Sequence, residues 1–379
     1  MRLLSLFAIL FFTLSSQASV IIPKAPDLQA SAYMLVDAAS GQVLVEHNVD
    51  NRLPPASLTK MLTSYIAIHE LELGHVAENT SIPISVNAWR IGGSKMFVRE
   101  GTEVPLIDLL RGIIVQSGND ASVAVAEYFS GAEEEFAVLM NTFAKRFGMH
   151  DSNFMNSTGW PAEGHYTTAR DMANLALHII NDHPRYYPLY AEKYYEYNSI
   201  RQPNRNRLLW RDPSVDGLKT GHTDEAGYCL VASAKRDETR FVAVVMGANS
   251  DESRARETQK LLSYGFRYFE SRKIYQAHEV LSTAKVWLGK DESIDLGLAK
   301  DLFLTLPRGS KGELKVNIRT DETLKAPIKK GQALGQVTIS YNGEVLADKP
   351  LLAHKDIEEA GFFSRLVDHI KLFFMNLFA

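Results

Sequence analysis

Three short motifs in the first 221 residues carry side chains that together can perform acyl transfer. They are Ser57-Leu58-Thr59-Lys60, Ser117-Gly118-Asn119 and Lys219-Thr220-Gly221. A serine hydroxyl becomes a nucleophile when a base takes its proton. A lysine amine is such a base only if burial or a nearby cation keeps part of it neutral. The order of the three motifs predicts a serine acyl-transfer enzyme.

The first motif places the candidate nucleophile, Ser57, at the start of a predicted helix. A gap of three residues puts Lys60 one turn along on the same face, within reach of the hydroxyl. Lys60 is the candidate base and Lys219 a candidate for the cation that keeps it neutral, while the sequence leaves open which of the two lysines is neutral. Backbone N–H groups at the helix start can stabilise an oxyanion. A second Ser-x-x-Lys, Ser282 to Lys285, lacks partner motifs and is interpreted as surface.

The second motif lies on a predicted loop between two helices. Ser117 can pass a proton between Lys60 and the leaving nitrogen. The Asn119 amide can hold both the substrate backbone and the lysine. Alone, such a motif is more often a turn or a helix cap, so its weight comes from the other two.

The third motif lies in Val215 to Thr223, a predicted strand. An extended peptide can add along the edge of such a strand. Thr220 can then bond the terminal carboxylate of the peptide, Lys219 supplies positive charge, and Gly221 allows close backbone approach. A solvated edge-strand lysine is the alternative for this motif taken in isolation.

The composition is that of an ordinary globular protein. Of the 379 residues 45% are apolar and 23% charged, and the formal net charge is −4, so a large core is possible and no nucleic-acid partner is expected. We also expect no cofactor and no metal, because the spacing of His69 and His75 does not suit a helical zinc pair. Cys229 is the lone cysteine and is predicted to be a buried strand residue without a disulfide.

The pattern along the chain predicts an α+β fold. Residues 19–273 should form an antiparallel sheet flanked by helices, with strands at Ala32–Asp37, Gln42–Glu46, Gly227–Ala234 and Arg240–Ala248 and a packing helix at Glu257–Phe269. Residues 274–355 alternate in short apolar runs and predict a small C-terminal all-β domain, in which the Asn342-Gly343 pair favours a tight primed turn.

The two chain ends predict export and membrane contact. Arg2, the apolar run from Leu3 to Leu14 and the small residues before Ala18 predict a cleaved signal peptide, residues 1–18. Residues 356–379 predict a terminal amphipathic helix that lies flat on the cytoplasmic membrane, because its charged residues make spanning costly. Docking on the protein's own core is the alternative for this helix.

These motifs, with the segments around them, resemble one enzyme family. The added segments are Gly217-Leu218 before the third motif, Ala226-Gly227-Tyr228, Asn204-Arg205-Asn206 before Leu208-Leu209-Trp210, and Gly361-Phe362-Phe363. The chain resembles the low-molecular-mass penicillin-binding proteins that act as D-alanyl-D-alanine carboxypeptidases, of the penicillin-binding-protein-five type. The resemblance implies the penicillin-binding protein/β-lactamase-like transpeptidase fold, on the periplasmic face of the inner membrane.

The resemblance also implies a substrate and further site residues. Ser57 would be acylated by a peptidoglycan stem pentapeptide, releasing the terminal D-alanine, and β-lactams would acylate the same serine. Arg205 and Arg254 match positions where the family places arginines near the site, which suit the substrate carboxylate. His222 and His165 are secondary candidates. For all four, a structural ion pair or a satisfied polar side chain is the alternative.

Three rival functions share parts of this pattern. Class A β-lactamases add a glutamate for fast deacylation, but no Glu-x-x-Leu-Asn segment follows the second motif and the residues after Glu163 do not fit. The acyl-enzyme formed with penicillin should therefore be long-lived. A DD-endopeptidase needs the same three motifs and stays open. A non-catalytic membrane-tethered scaffold is disfavoured because every motif residue is intact.

Overall fold

The computed structural model describes residues 22–310 and 313–378, so the predicted signal peptide lies outside the described residues. The strands are β1 Ala32–Asp37, β2 Val43–His47, β3 Ser81–Pro83, β4 Glu103–Pro105, β5 Tyr194–Tyr197, β6 Ile200–Pro203, β7 Val215–Thr223, β8 Gly227–Arg236, β9 Thr239–Ala248, β10 Phe269–Tyr275, β11 Ser282–Trp287, β12 Ser293–Gly297, β13 Leu302–Pro307, β14 Leu314–Thr320, β15 Leu324–Lys325, β16 Ala333–Tyr341 and β17 Glu344–Ala353. The helices are α1 Lys60–Glu72, α2 Val86–Arg90, α3 Leu106–Ile114, α4 Asn119–Ser130, α5 Glu133–Arg146, α6 Ala169–Asp182, α7 Leu208–Arg211, α8 Asp251–Tyr268 and α9 Phe362–Phe378, with 3₁₀ helices at Ala56–Thr59 and Tyr187–Ala191.

An antiparallel sheet in the order β2-β1-β9-β8-β7 forms the centre of the catalytic region. Short connections join β1 to β2 and β8 to β9, which makes these neighbours antiparallel as predicted. Strand β7 has the predicted bounds, Val215–Thr223, and is the outer strand of this sheet. Among the described residues, one edge of β7 therefore pairs with no other strand.

Helices cover both faces of this sheet, and alternate residues of each strand point to opposite cores. On one face Leu35 and Val245 pack with Leu261 and Phe266 of α8. On the other face α1 and α3 to α6 bury the larger core, which includes Met34 and apolar residues along α1 from Met61 to Leu71. The α+β arrangement predicted from the sequence is confirmed.

Two local predictions for this region are tested by the structure. Cys229 is fully buried in β8, as predicted. Helix α8 begins at Asp251, six residues before the predicted start, because the Ser250 side chain accepts a hydrogen bond from the Ser253 backbone N–H and caps the helix. The prediction began too late because the first turns of α8 are mostly polar and the apolar spacing used to identify the helix starts only after them.

The C-terminal region is an all-β domain, as predicted. A six-stranded sheet runs β14-β16-β17-β12-β11-β15, and β10 pairs with β13. Asn342 and Gly343 have φ values of 51° and 90° between the paired residues Tyr341 and Glu344, which is the predicted primed turn. Strand β10 runs across residue 273, and the domain boundary placed there stays a prediction.

A buried carboxylate joins the two regions. Asp37, at the end of β1, is fully buried and accepts hydrogen bonds from the hydroxyls of Ser271 at 2.5 Å and Thr305 at 2.8 Å. It also accepts from the backbone N–H of Ala39 at 2.8 Å. These bonds connect the sheet of the catalytic region to β10 and β13 and satisfy the buried charge.

Helix α9 contacts the β domain through few residues. The Asp368 carboxylate accepts a hydrogen bond from the Leu288 backbone N–H at 2.8 Å, and Leu372 packs with Trp287 and Leu288. The other large apolar side chains described on α9 are exposed: Phe362, Phe363, Leu366, Val367, Ile370, Phe373, Phe374, Met375 and Leu377. Within the described ranges, every helix is too short or too polar to cross a membrane.

Candidate active site

Ser57 lies in the 3₁₀ helix Ala56–Thr59, which leads directly into α1. The turn is tighter than the regular helix start that was predicted, and Ala56 has a φ of 47°, in the left-handed region. Two glycines approach this turn. A Cβ at Gly159 would lie 1.8 Å from the Ala56 carbonyl oxygen, and a Cβ at Gly221 would lie 3.0 Å from a backbone oxygen at the start of the turn. Residues without side chains are therefore needed on both sides of the nucleophile.

The Lys60 amine lies at the centre of the site and is fully buried. Its Nζ atom is 3.1 Å from Ser57 Oγ, 2.7 Å from Asn119 Oδ1 and 2.5 Å from the carbonyl oxygen of Thr158. The two oxygens of Asn119 and Thr158 can only accept, so they hold two amine hydrogens. In the neutral amine the lone pair is then free to accept the Ser57 hydroxyl proton.

The electrostatics of Lys60 favour this neutral form. Burial, and next the positive charge of Arg205, lower its pKa from 10.5 to about 7. The sequence assigned the role of the neighbouring cation to Lys219, whereas the structure gives the larger share to burial and then to Arg205. At neutral pH a large fraction of Lys60 can therefore act as a base.

The second motif lies between α3 and α4, as predicted. Ser117 is buried with a φ of 58°, and its Oγ atom accepts a hydrogen bond from Lys219 Nζ at 2.9 Å. Asn119 is the first residue of α4, and its amide nitrogen donates to the Gly92 carbonyl at 2.7 Å while its oxygen accepts from Lys60. The amide is thus fixed between the base and the edge of the cleft.

The third motif lies on the edge strand β7. Lys219 is buried, and burial followed by the positive charges of Lys60, Arg205 and Arg254 lowers its pKa well below the ordinary value. Lys219 Nζ contacts Ser117 Oγ, and Lys60 Nζ contacts Ser57 Oγ. Each of the two serine hydroxyls of the site therefore has a buried amine beside it.

The two arginines predicted from the family resemblance lie at the same cleft. Arg254 donates to the Gly221 carbonyl at 3.1 Å and forms an ion pair with Asp251. Arg205 is exposed at the cleft, on a loop that the Asn206 side chain ties to β7 through the Gly217 carbonyl at 2.9 Å. Both guanidinium groups can reach an anionic ligand in the cleft.

His222 follows the third motif and is exposed beside the cleft. Its ring lies against that of Tyr228, with centroids 4.0 Å apart. The Arg254 guanidinium lies over the same Tyr228 ring, 5.5 Å from its centroid. Tyr228 therefore orients both a candidate histidine and a candidate arginine.

The predicted residues meet in one cleft with two arms on either side of Ser57. The first arm has a volume of about 670 Å³, and its lining includes Ser57, Ser117, Thr220, Gly221, His222, Arg205 and Arg254. The second arm has a volume of about 450 Å³, and its lining includes Ser57, Asn119, Thr158, Trp160 and Asp224. Lys60 and Lys219 lie buried beneath them. All ten predicted site residues are thus brought together.

Sequence reasoning missed the segment that holds Lys60 from below. The Asn156 side-chain oxygen accepts hydrogen bonds from the backbone N–H groups of Thr158, Gly159 and Trp160, at 3.2, 2.8 and 3.2 Å. This asparagine-centred turn aims the Thr158 carbonyl at the lysine. The Asn-Ser-Thr-Gly sequence indicates a turn, but nothing local in it points to Lys60.

The described ranges contain no group of three or more His, Cys, Asp or Glu side chains placed to hold a metal ion. The polar groups around Ser57 are the hydroxyls, amines, amide and guanidinium groups described above. This donor set suits acyl transfer through a serine rather than ligation of a cation.

Comparisons with known proteins agree with this chemistry. Residues 19–250 match the family model Peptidase_S11, D-alanyl-D-alanine carboxypeptidase, and residues 269–359 match the C-terminal domain of penicillin-binding protein 5. The chain is 40% identical to D-alanyl-D-alanine carboxypeptidase DacA of Escherichia coli (strain K12) over 365 residues, which cover 94% of this chain and 91% of that protein.

Solved structures of related proteins are also similar. Penicillin-binding protein 5 from Haemophilus influenzae matches with a TM-score of 0.84 and 41% identity, over 89% of this chain and 100% of that one. Penicillin-Binding Protein D2 from Listeria monocytogenes in its ampicillin-bound form matches with a TM-score of 0.59 and 27% identity, over 64% and 100%. The family resemblance and the fold class predicted from the sequence are confirmed. The chain belongs to the D-alanyl-D-alanine carboxypeptidases, a family of serine peptidases.

Proposed function

We propose that this serine peptidase removes the terminal D-alanine from peptidoglycan stem pentapeptides through an acyl-enzyme on Ser57. The observation that carries the proposal is the 3.1 Å contact between Ser57 Oγ and the fully buried Lys60 amine. A buried lysine with a pKa of about 7 has the protonation state that a general base needs.

In acylation, neutral Lys60 takes the Ser57 hydroxyl proton while Oγ forms a bond to the carbonyl carbon of the penultimate D-alanine. Backbone N–H groups of the turn at the start of α1 stabilise the oxyanion. The bond from that carbon to the terminal D-alanine nitrogen then breaks. Ser117, which is 2.9 Å from Lys219 Nζ, passes the proton to the leaving nitrogen. Water later hydrolyses the ester, and Ser57 regains its proton.

The open edge of β7 supports the proposed mode of substrate binding. The peptide adds along β7, and its terminal carboxylate is held in the larger arm by Thr220, Arg205 and Arg254, with His222 beside them. Arginine guanidinium groups suit a carboxylate because they can donate two parallel hydrogen bonds. Asn119 in the other arm holds the backbone of the acyl part.

β-Lactams are proposed to acylate the same serine. The ampicillin-bound form of the Listeria relative supports this proposal. Because the glutamate of class A β-lactamases has no counterpart between the second and third motifs, the penicilloyl ester should be hydrolysed slowly. Rapid catalytic turnover of penicillin by the purified protein would contradict this.

We further propose that α9 holds the enzyme at the periplasmic face of the cytoplasmic membrane. The side of α9 that touches the β domain carries Asp368 and Leu372, whereas Phe363 is 80% exposed. A helix that turns its phenylalanines to solvent while a carboxylate bonds the protein suits insertion into a lipid surface. Docking on the protein's own core would bury the phenylalanines instead.

The proposed activity is tested by incubating the mature enzyme with a muropeptide pentapeptide and, separately, with a crosslinked muropeptide dimer. Free D-alanine from the pentapeptide alone supports a carboxypeptidase. Cleavage of the crosslink as well would extend the activity to that of an endopeptidase. A labelled penicillin should modify Ser57, and a mass-mapped adduct on any other residue would overturn the assignment.

A further inference from the structure

His165 is a buried histidine next to the nucleophile turn that the proposed mechanism does not use. It is 7% exposed, and its Nε2 atom is 3.0 Å from the hydroxyl oxygen of Thr59. Thr59 is fully buried and lies in the turn between Ser57 and Lys60. Among the described residues, the other ring nitrogen of His165 has no hydrogen-bond partner. The contact with Thr59 is therefore the only hydrogen bond of the imidazole ring among the described residues.

The surroundings of His165 keep it neutral. Burial, and next the charge of Lys60, lower its pKa to about 4. The Phe154 ring meets the imidazole edge-on, with centroids 5.8 Å apart. The groove of about 580 Å³ that His165 helps to line also carries the ionisable side chains Arg52, Glu163, Tyr166 and Glu225.

The turn that Thr59 belongs to needs holding from outside. It is four residues long, and Ala56 in it adopts the left-handed φ of 47°. Such a conformation is strained and persists only where the surroundings impose it. The backbone contact with Gly159 restrains the start of the turn, and the hydrogen bond to His165 restrains its end.

We propose that His165 is a positioning residue for acylation, which holds the Thr59 hydroxyl and thereby keeps Ser57 Oγ within reach of the Lys60 amine. This inference rests on the proposed function, because it assigns His165 to the same reaction. A neutral imidazole suits the role because it supplies a hydrogen bond without adding a positive charge beside Lys60. The alternative is a histidine that only fills space in the core.

The test measures the acylation rate constant with a labelled penicillin as a function of pH, together with thermal unfolding. Loss of the hydrogen bond in His165→Leu should lower the rate constant about 10-fold, because small misplacements of reacting groups are costly. It should also move the acid limb of the pH profile upward by about half a pH unit, since a loosened turn hydrates Lys60. His165→Gln, which can still bond Thr59, should stay within about 3-fold of the wild type.

Thr59→Val removes the same hydrogen bond from the other side and should reproduce both effects. The double variant should be no slower than either single variant, because one interaction is removed twice. His183→Leu is the matched control. His183 is equally buried and bonds Glu72 at the far end of α1, so its loss should change stability and leave the rate and pH profile unchanged.

The outcomes separate this inference from the proposed function. A wild-type protein that is not labelled at Ser57 overturns the proposed function itself. A labelled wild type, with a Thr59→Val variant that keeps the wild-type rate and pH profile, overturns the role of His165 alone. If His165→Leu does not fold, Thr59→Val and His165→Gln still decide the question. Additive losses in the double variant would also contradict the proposal.

Discussion

The catalytic cleft and helix α9 depart from the usual distribution of side chains in opposite directions. The cleft buries two amines, Lys60 and Lys219, in the interior of the larger region. Helix α9 exposes a run of phenylalanines that a folded core would normally take up. Both arrangements are costly in isolation, since buried polar groups lose hydration and exposed apolar groups order water.

The cleft and α9 differ in whether the chain itself supplies partners for the unusually placed side chains. Each buried amine has hydrogen-bond acceptors within the chain: Asn119 Oδ1 and the Thr158 carbonyl for Lys60, and Ser117 Oγ for Lys219. The described phenylalanines of α9 have no comparable partners in the described chain beyond one another. The buried amines of the cleft are therefore satisfied by groups of the same chain. The exposed phenylalanines of α9 need a partner outside the described chain, for which we propose a lipid surface.

Removal of the Ser57 hydroxyl should have the largest effect on activity. Ser57→Ala should abolish labelling by penicillin and release of D-alanine, with little change in thermal stability, because only the reactive oxygen is lost. The chain offers a matched control in its second Ser-x-x-Lys, where Ser282→Ala should keep full activity. Labelling of the Ser57→Ala protein would contradict the assignment of the nucleophile.

The next effect concerns the base and its pKa. Lys60→Met should lower the acylation rate about 1,000-fold, which is within the range for loss of a general base. In the wild type the rate should rise with pH through a midpoint near 7, because only the neutral amine accepts a proton. A profile without this limb would contradict the role of Lys60.

The same lysine should also make stability depend on pH. Between about pH 7 and 10.5 the unfolded chain holds the Lys60 proton and the folded protein does not, so stability rises with pH. The slope from this group is at most about 1.4 kcal/mol per pH unit. Lys60→Met should flatten the rise, which denaturant unfolding at pH 7 and pH 9 would measure. An unchanged slope would mean that Lys60 is protonated in the folded state.

Charged residues on the exposed face of α9 should weaken its binding to lipid. Changing Phe363 and Phe374 together to Asp should weaken binding to anionic lipid vesicles, measured by flotation, by more than about 100-fold, since the two buried phenylalanines together contribute about 3–6 kcal/mol. Activity on a soluble pentapeptide should be unchanged. Val316→Asp, at an exposed apolar position in the β domain, is the control and should bind vesicles normally. Equal flotation of both variants would favour a protein partner for α9.

The last prediction concerns the stability of the buried cluster around Asp37, whose hydrogen-bond partners, like those of the buried amines in the cleft, belong to the same chain. Asp37→Asn replaces an acceptor of hydrogen bonds from Ser271 and Thr305 and should lower the free energy of unfolding by about 1–3 kcal/mol. Asp291→Asn, in an exposed ion pair with Lys355, is the control and should cost less than about 1 kcal/mol. Denaturant unfolding measures both, and equal losses would show that burial of Asp37 adds nothing.

Much of the fold and the site could be predicted because their signals are local. The β7 strand, the interhelical position of Ser117 and the turn at Asn342 and Gly343 follow from apolar alternation and turn chemistry within a few residues. The same is true of the chemistry of the three motifs. The motif residues needed no knowledge of the tertiary structure to be identified.

The features of the site that the sequence did not predict depend on contacts between distant parts of the chain. The Thr158 carbonyl reaches Lys60 across 98 residues, and the bond between Thr59 and His165 spans 106 residues. The left-handed Ala56 in the 3₁₀ turn lies where the backbone of Gly159, about 100 residues later in the chain, approaches its carbonyl oxygen. The role of Arg205 beside Lys60 is likewise a product of packing. None of these leaves a pattern in a local window of sequence.

Gly159 also limits how resistance to penicillins can arise. With a φ of 82° and no room for even one methyl group beside the Ala56 oxygen, any replacement must displace the backbone on which Ser57 sits. Such a change would impair hydrolysis of the natural peptide together with capture of the drug. We therefore expect this codon to stay invariant in populations selected on β-lactams, and escape to proceed through more tolerant positions at the rim of the cleft, such as Trp160.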